Sequence, residues 1–248
     1  MKMLVSQVRA ELTLFLRDQA GVFFTILLPL LMVIFFSYLN REGQVGDVSY
    51  ASFLLVGGIG IVVAGAAFEV LGPALARQRD DGILKRLGGT PLRASTLMGA
   101  KVLAAGLIIL AQTLLMVAVS VFLFSAEISG SLFWTGAVLL VGVVSFATMG
   151  FAVAGLSPSA DVASAAATVI VLPMQFLCGT LFPVDAMPAL LRIIVRALPM
   201  TYFVDALRGA MLTGGGPKDY TTDWVVLLGC LIASFVLAVV TFRWTCPE

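Results

Sequence analysis

Six stretches of this sequence are apolar for long enough to cross a lipid bilayer, and the charges are gathered into a few blocks between them. The stretches are Ala20 to Leu39, Ala51 to Leu75, Val102 to Phe124, Ser131 to Leu156, Val162 to Phe182, and Trp224 to Phe242. A hydrocarbon core about 30 Å thick needs about 20 helical residues per crossing. Backbone groups in lipid have no water to bond, so each crossing must be a helix that satisfies itself. The alternating strands of about ten residues that build a membrane barrel are absent. Only 12% of residues are charged and the mean hydropathy is +1.07, against about 25% charged in a soluble domain. The first apolar run is too long for a signal-peptide core and lacks an Ala-x-Ala exit, so it counts as a span. The predicted fold class is an all-α polytopic membrane protein with six transmembrane helices, organised as one membrane domain over residues 1–248.

The net charge is +1, which gives no footing for a nucleic-acid partner. The placement of the charges is more informative. Lys2, Arg9 and Arg17 precede the first span. Arg77, Arg79, Lys85, Arg86, Arg93 and Lys101 lie between the second and third, and Arg243 follows the last. With six spans these ten share one side. Arg41, Arg192, Arg196, Arg208 and Lys218 make five on the other. The positive-inside bias therefore predicts a cytoplasmic-membrane protein with both termini in the cytoplasm. Cys178, Cys230 and Cys246 are odd in number and scattered, and the chain has no histidine. No disulfide framework, metal site or catalytic residue is predicted.

The segments between spans carry their own patterns. Leu4, Val8, Leu12 and Phe15 recur at helical spacing, with Arg9 and Arg17 on other faces. Residues 1–19 therefore read as an amphipathic helix lying in the interface among membrane lipids. Span two is rich in glycine and alanine, and Gly60 with Ala64 makes a small-xxx-small step. That step suits either close packing within the chain or a seam between copies. Glu69 falls about 27 Å along this span, near the inner interface if the helix ends at Leu75. An ion pair with Arg9, Arg77 or Arg79 is the expected arrangement, with proton coupling as the alternative. Residues 183–217 hold Pro183, Pro188 and Pro199 between apolar stretches too short to cross. Two short re-entrant helices on the outer side, Pro188 to Ala197 and Tyr202 to Leu212, are predicted.

The segment 76–91 is the only substantial cytoplasmic feature. Arg79, Asp80, Asp81, Gly82, Ile83, Leu84, Lys85, Arg86 and Leu87 lead into Gly88, Gly89, Thr90 and Pro91. A short helix from Asp81 to Leu87 would carry Ile83, Leu84 and Leu87 on one side and stop at the glycines. A solvated loop that only fixes topology needs no such stripe, whereas docking into a partner's groove does.

This stretch resembles the charged-charged-x-Gly…Leu…Leu…Thr-Pro pattern of the permease subunits of ABC-2 type transporters, the bacterial exporters of drugs, lipids and polysaccharides. Asp80, Asp81 and Ile83 depart from the residues usual in that pattern. A second match runs from Cys178-Gly179-Thr180-Leu181-Phe182-Pro183 through Pro188 and Pro199-Met200-Thr201-Tyr202 to Asp205-Ala206-Leu207-Arg208. The resemblance implies a dimeric exporter core in a bacterial or archaeal cytoplasmic membrane. A cytoplasmic ATPase dimer would grip Arg79 to Pro91, with Gly179, Phe182, Pro183, Pro188, Pro199, Tyr202 and Arg208 forming an outer gate. It also implies that ATP and Mg belong to the partner, because the chain has no Gly-x4-Gly-Lys-Ser/Thr string to cradle phosphate. Spans two and five are expected to line the pathway, with Phe146, Met149, Met174 and Phe176 facing an amphipathic cargo. An ion-gradient transporter would need more buried carboxylates than Glu69 or an inverted repeat. An intramembrane enzyme would need a catalytic cluster.

Overall fold

The computed structural model describes residues 2–46, 48–90, 92–184 and 187–242, so Pro91, Arg243 and Cys246 lie outside the described residues. The amphipathic helix α1 (Lys2–Arg17) leads into α2 (Gln19–Leu39). A small hairpin follows, β1 (Gln44–Val45) antiparallel to β2 (Val48–Ser49), with Gln44 opposite Ser49. Then come α3 (Tyr50–Asp80), a short α4 (Ile83–Gly88), α5 (Ala94–Phe124), α6 (Leu132–Leu156) and α7 (Ala160–Leu177). Two short helices, α8 (Ala189–Arg196) and α9 (Pro199–Arg208), precede α10 (Thr221–Thr241). Six of these, α2, α3, α5, α6, α7 and α10, are long and apolar enough to span a membrane. The protein is thus an all-α polytopic membrane protein.

Local chemistry sets where the helices begin. Asp18 accepts from the Gly21 amide at 3.0 Å, Ser49 from Ser52 at 3.2 Å, and Ser131 and Ser159 from Trp134 and Val162 at 3.4 Å. Four spans therefore start on a side chain that satisfies an otherwise orphaned helix donor. The predicted apolar face of α1 (Leu4, Val8, Leu12 and Phe15) is the half-buried one, and it packs on α5.

Three span boundaries differ from expectation. Helix α3 runs five residues past Leu75, because Arg77, Gln78 and Arg79 end a hydrophobic run without ending a helix. Helix α5 starts at Ala94 rather than Val102 for the same reason. Helix α7 stops at Leu177 rather than Phe182, where the chain turns through Gly179 at φ +73°. Only glycine takes that conformation freely. Prolines shape two spans from within. Pro29 and Pro73 each remove a backbone donor, and the preceding turns, Phe23–Leu27 and Ala64–Val70, open to π pitch. The Gln112 amide donates to the Ile26 carbonyl at 2.7 Å in the first of these turns.

Helix α3 is the axis of the bundle. From Ala51 to Gly60 every residue is buried. A Cβ on Gly57 would stand 1.8 Å from the Thr180 carbonyl oxygen, and one on Gly72 would stand 2.6 Å from that of Gly150. Gly60 abuts Val204 and Met200. Gly57, Gly60 and Gly72 of span two therefore serve close packing inside this chain. Helix α10 is peripheral and is tied to α6 by a 2.7 Å bond between the Thr148 and Ser234 hydroxyls. Phe146 and Met174 are core residues, Phe146 edge-on to Phe203 at 5.7 Å, so they do not form a cargo wall; Phe176 is exposed.

Overpacking a tight backbone contact costs about 1–3 kcal/mol or more. Gly57→Val should lower the thermal midpoint of the detergent-solubilised protein by several degrees. Gly99→Ala, whose Cβ would meet open space, should leave it level or slightly raised. Tryptophan fluorescence during a thermal ramp checks both.

Candidate functional site at the charged end of the bundle

The end of α3, α4, the start of α5 and the α6–α7 turn meet at one end of the bundle. Past Asp80 the chain reverses through Gly82, which lies in the left-handed region at φ +66°. Helix α4 then runs from Ile83, two residues later than the expected start at Asp81. The Thr90 hydroxyl closes it by donating to the Leu87 carbonyl at 2.6 Å. The expected docking stripe is divided. Leu84 is 1% exposed and sits among Leu75, Ala76, Phe151, Ala154 and Phe242. Leu87 is half-buried against the same core. Ile83, Lys85 and Arg86 are exposed, as is Asp81. A helix rooted by one leucine keeps only its other faces free, and helical periodicity alone does not say which face turns inward.

Arg79 and Asp80, expected to meet a partner, instead clamp the chain to itself. Arg79 is 5% exposed and donates to the carbonyls of Ala154 at 3.0 Å and Ser157 at 2.9 Å, at the C-terminal end of α6. Its guanidinium also meets the Asp80 carboxylate at 3.3 Å. The other Asp80 oxygen accepts from the Ala160 amide at 2.6 Å, at the N-terminus of α7. Each charge therefore sits on the helix end whose dipole it complements, cation on carbonyls and anion on amide. One dipeptide at the end of α3 thus fixes the turn between two other spans.

A second buried contact was not foreseen. Lys101, with no exposed surface, donates to Glu11 at 2.6 Å, pinning α1 to α5. Glu11 lies three residues after Val8 and seven after Leu4, on the face of α1 that packs, and that register was the available signal. Arg9, expected to pair with Glu69, is exposed. Glu69 forms no ion pair among the described residues and accepts instead from the Thr168 hydroxyl at 3.3 Å.

At the opposite end, the two short helices fall close to where the prolines placed them. Pro188 caps α8 and Pro199 is the first residue of α9. The Tyr202 hydroxyl donates to the Arg196 carbonyl at 2.6 Å. Arg208 binds the Gly179 carbonyl at 2.8 Å and Asp205 at 3.1 Å, and lies over the Phe53 ring at 4.3 Å. Gly179, Tyr202 and Arg208 are thereby joined to one structure, and Pro183 with Tyr202 and Arg208 lines a cavity of about 610 Å³. Phe182 is 53% exposed. Cys178, the buried cap of α7, has its thiol pushed up to about 11 by burial, which leaves it unreactive.

The described residues thus hold six helices long and apolar enough to span a membrane, an amphipathic N-terminal helix, a short charged helix after the second span and a helix pair before the last. Residues 4–212 match the ABC-2 type transporter family, and the chain belongs to it. It is 28% identical over 203 residues to nodulation protein J of Neorhizobium galegae, covering 81% of this chain and 76% of that protein. It is 26% identical over 182 residues to the inner membrane transport permease YhhJ of Escherichia coli, covering 72% and 48%. It is also 26% identical over 181 residues to that organism's probable multidrug ABC transporter permease YbhS, covering 73% and 48%. The chain spans about half the length of these last two. It is therefore a membrane permease of an ABC transporter, a transport subunit rather than a catalytic enzyme, and its family membership implies a partner ATPase.

Removing one member of a buried ion pair costs about 3–5 kcal/mol, whereas replacing both with apolar residues is nearly neutral. Lys101→Met should markedly destabilise the protein, and adding Glu11→Leu should recover most of the loss. Thermal midpoints of the two variants check this.

Proposed function

We propose that this chain is the membrane subunit of an ATP-driven exporter. Two copies, or one copy and a homologue, work with a cytoplasmic dimer of ATPase subunits that binds ATP and Mg. The complex moves an amphipathic, drug-like or lipid-like cargo outward across a bacterial or archaeal cytoplasmic membrane, both termini of the chain being cytoplasmic. Membrane lipids surround it and seat α1. The multidrug label of one relative supports the cargo class, and the positive-inside bias supports the orientation.

The clamp of Arg79 and Asp80 is the observation that carries this reading. Helix α4 offers Ile83, Lys85 and Arg86 to solvent while Leu84 roots it in the bundle. Directly before it, Arg79 and Asp80 grip the ends of α6 and α7. A partner that pulls on α4 therefore pulls α3, α6 and α7 together, and packed helices answer by switching as rigid bodies between discrete arrangements. Motion of the nucleotide-binding subunits becomes rearrangement of spans through this joint. Glu11 and Lys101 add α1 and α5 to the same moving end. Gly179, Phe182, Pro183, Pro188, Pro199, Tyr202 and Arg208 then form the gate on the outer side.

The double change Ile83→Asp, Arg86→Glu alters only exposed positions of α4. It should weaken co-purification with the ATPase subunit and cut transport-coupled ATP hydrolysis at least severalfold, with helical content and elution profile preserved. Full coupling in that variant would overturn the docking of α4. Leu84→Asp is no substitute, because it places a carboxylate in the core and should unfold this end outright.

A further inference from the structure

Helix α3 is buried on nearly every side, and one stripe that it leaves half-open carries a carboxylate. Ile61, Gly65, Glu69 and Pro73 recur every four residues and share one face. Helix α7 lies along that face. Thr168 donates to Glu69 at 3.3 Å, and the Gln175 amide nitrogen stands 3.7 Å from where a Cβ on Gly65 would be, one turn away. Glu69 precedes Arg77 by eight residues, about 12 Å of helix. Thr168 lies eight residues beyond Ala160, about 12 Å along α7 by the same rise. Both helices therefore put the notch at one depth, well inside the charged ends. Because α3 continues to Asp80, Glu69 sits deeper than a helix ending at Leu75 implied.

The notch lies in the π turn Ala64–Val70, one of three among the described residues. What singles it out is the lack of a counter-charge among the described residues. A charge at membrane depth is costly and is ordinarily paired. Glu69 offers about four acceptor positions, yet among the described residues it has one long hydrogen bond and no ion pair. Thr168 is half-buried beside it, with spare acceptor capacity.

We propose that Glu69 and Thr168 form the recognition site for a cationic, amine-bearing amphiphile. The ammonium group donates to the open carboxylate oxygen of Glu69 and to the Thr168 hydroxyl oxygen, which can accept while giving its own hydrogen to Glu69. An ammonium has three donors and no acceptor, which suits a carboxylate beside a hydroxyl. The apolar body of the ligand runs along the exposed Leu172 and Phe176 of α7. The inference deepens the export reading, on which it rests for placing this seam on the cargo pathway.

The test uses the full chain in phosphatidylcholine nanodiscs and a dodecylamine that carries a dansylamide on the carbon farthest from its free amine, with the alcohol and carboxylate of the same length and tag as controls. Fluorescence anisotropy should show the amine binding about tenfold tighter than the alcohol, as a charge-assisted hydrogen bond gives. Glu69→Gln should abolish that preference, Glu69→Asp should retain part of it, and Thr168→Val should weaken the amine alone. Equal binding of amine and alcohol, or a preference that survives Glu69→Gln, overturns the site. Proteoliposomes holding the chain with its ATPase separate this from the export reading. Charge-selective binding without ATP-driven movement overturns export and keeps the site, while movement indifferent to head charge does the reverse.

Discussion

Helices in a bilayer gain little by hiding apolar surface from one another, because lipid tails are as apolar as leucine, so they hold together by how closely their backbones approach. In this chain that closeness is concentrated on α3. Gly57 lies on the backbone at Thr180 and Gly72 on the backbone at Gly150, with Gly60 against Val204 between them. The turn after α7, α6 and α9 are thereby drawn onto one axis. The remaining spans can be peripheral because α3 is not. Helix α10 is held through α9 and through α6, to which a hydroxyl pair ties it, and α2 through α3, α5 and the Gln112 amide.

The polar groups follow from the same economy. With no water at hand, a charge is stable only where a helix end, a counter-charge or the interface receives it. Arg79 and Asp80 use helix ends and Lys101 uses Glu11. Arg208 uses a carbonyl, a carboxylate and an aromatic face together. Most of these contacts also join elements distant in sequence and sit near an end of the bundle. Glu69 stands apart from this pattern, which is why it reads as addressed to something outside the chain.

Much of the architecture was legible in the sequence. The six spans, the amphipathic face of α1 and the proline-marked helix pair rest on local rules of length, period and turn chemistry, and the structure keeps them. Boundaries slipped where hydropathy stood in for helicity. Arg77 to Asp80 are polar yet helical, as are Ser95, Thr96 and Lys101 in the first turns of α5, and lipid preference does not report where a helix ends. The glycines of span two were visible, but their partners were not, because Thr180 and Gly150 are brought to them only by the fold.

The charged stretch after span two shows the division most sharply. Its sequence by itself determined a short helix that stops at the Gly88-Gly89 pair, since helix stops are written in a few adjacent residues. Only the tertiary structure decided that this helix starts after a left-handed turn at Gly82, that Leu84 faces inward, that Arg79 and Asp80 bind the ends of α6 and α7, and that Glu69 has no cation among the described residues. Those outcomes depend on residues some 75 to 100 positions apart in the chain. Pairing at that range is set by how whole helices pack, and local periodicity carries no record of it.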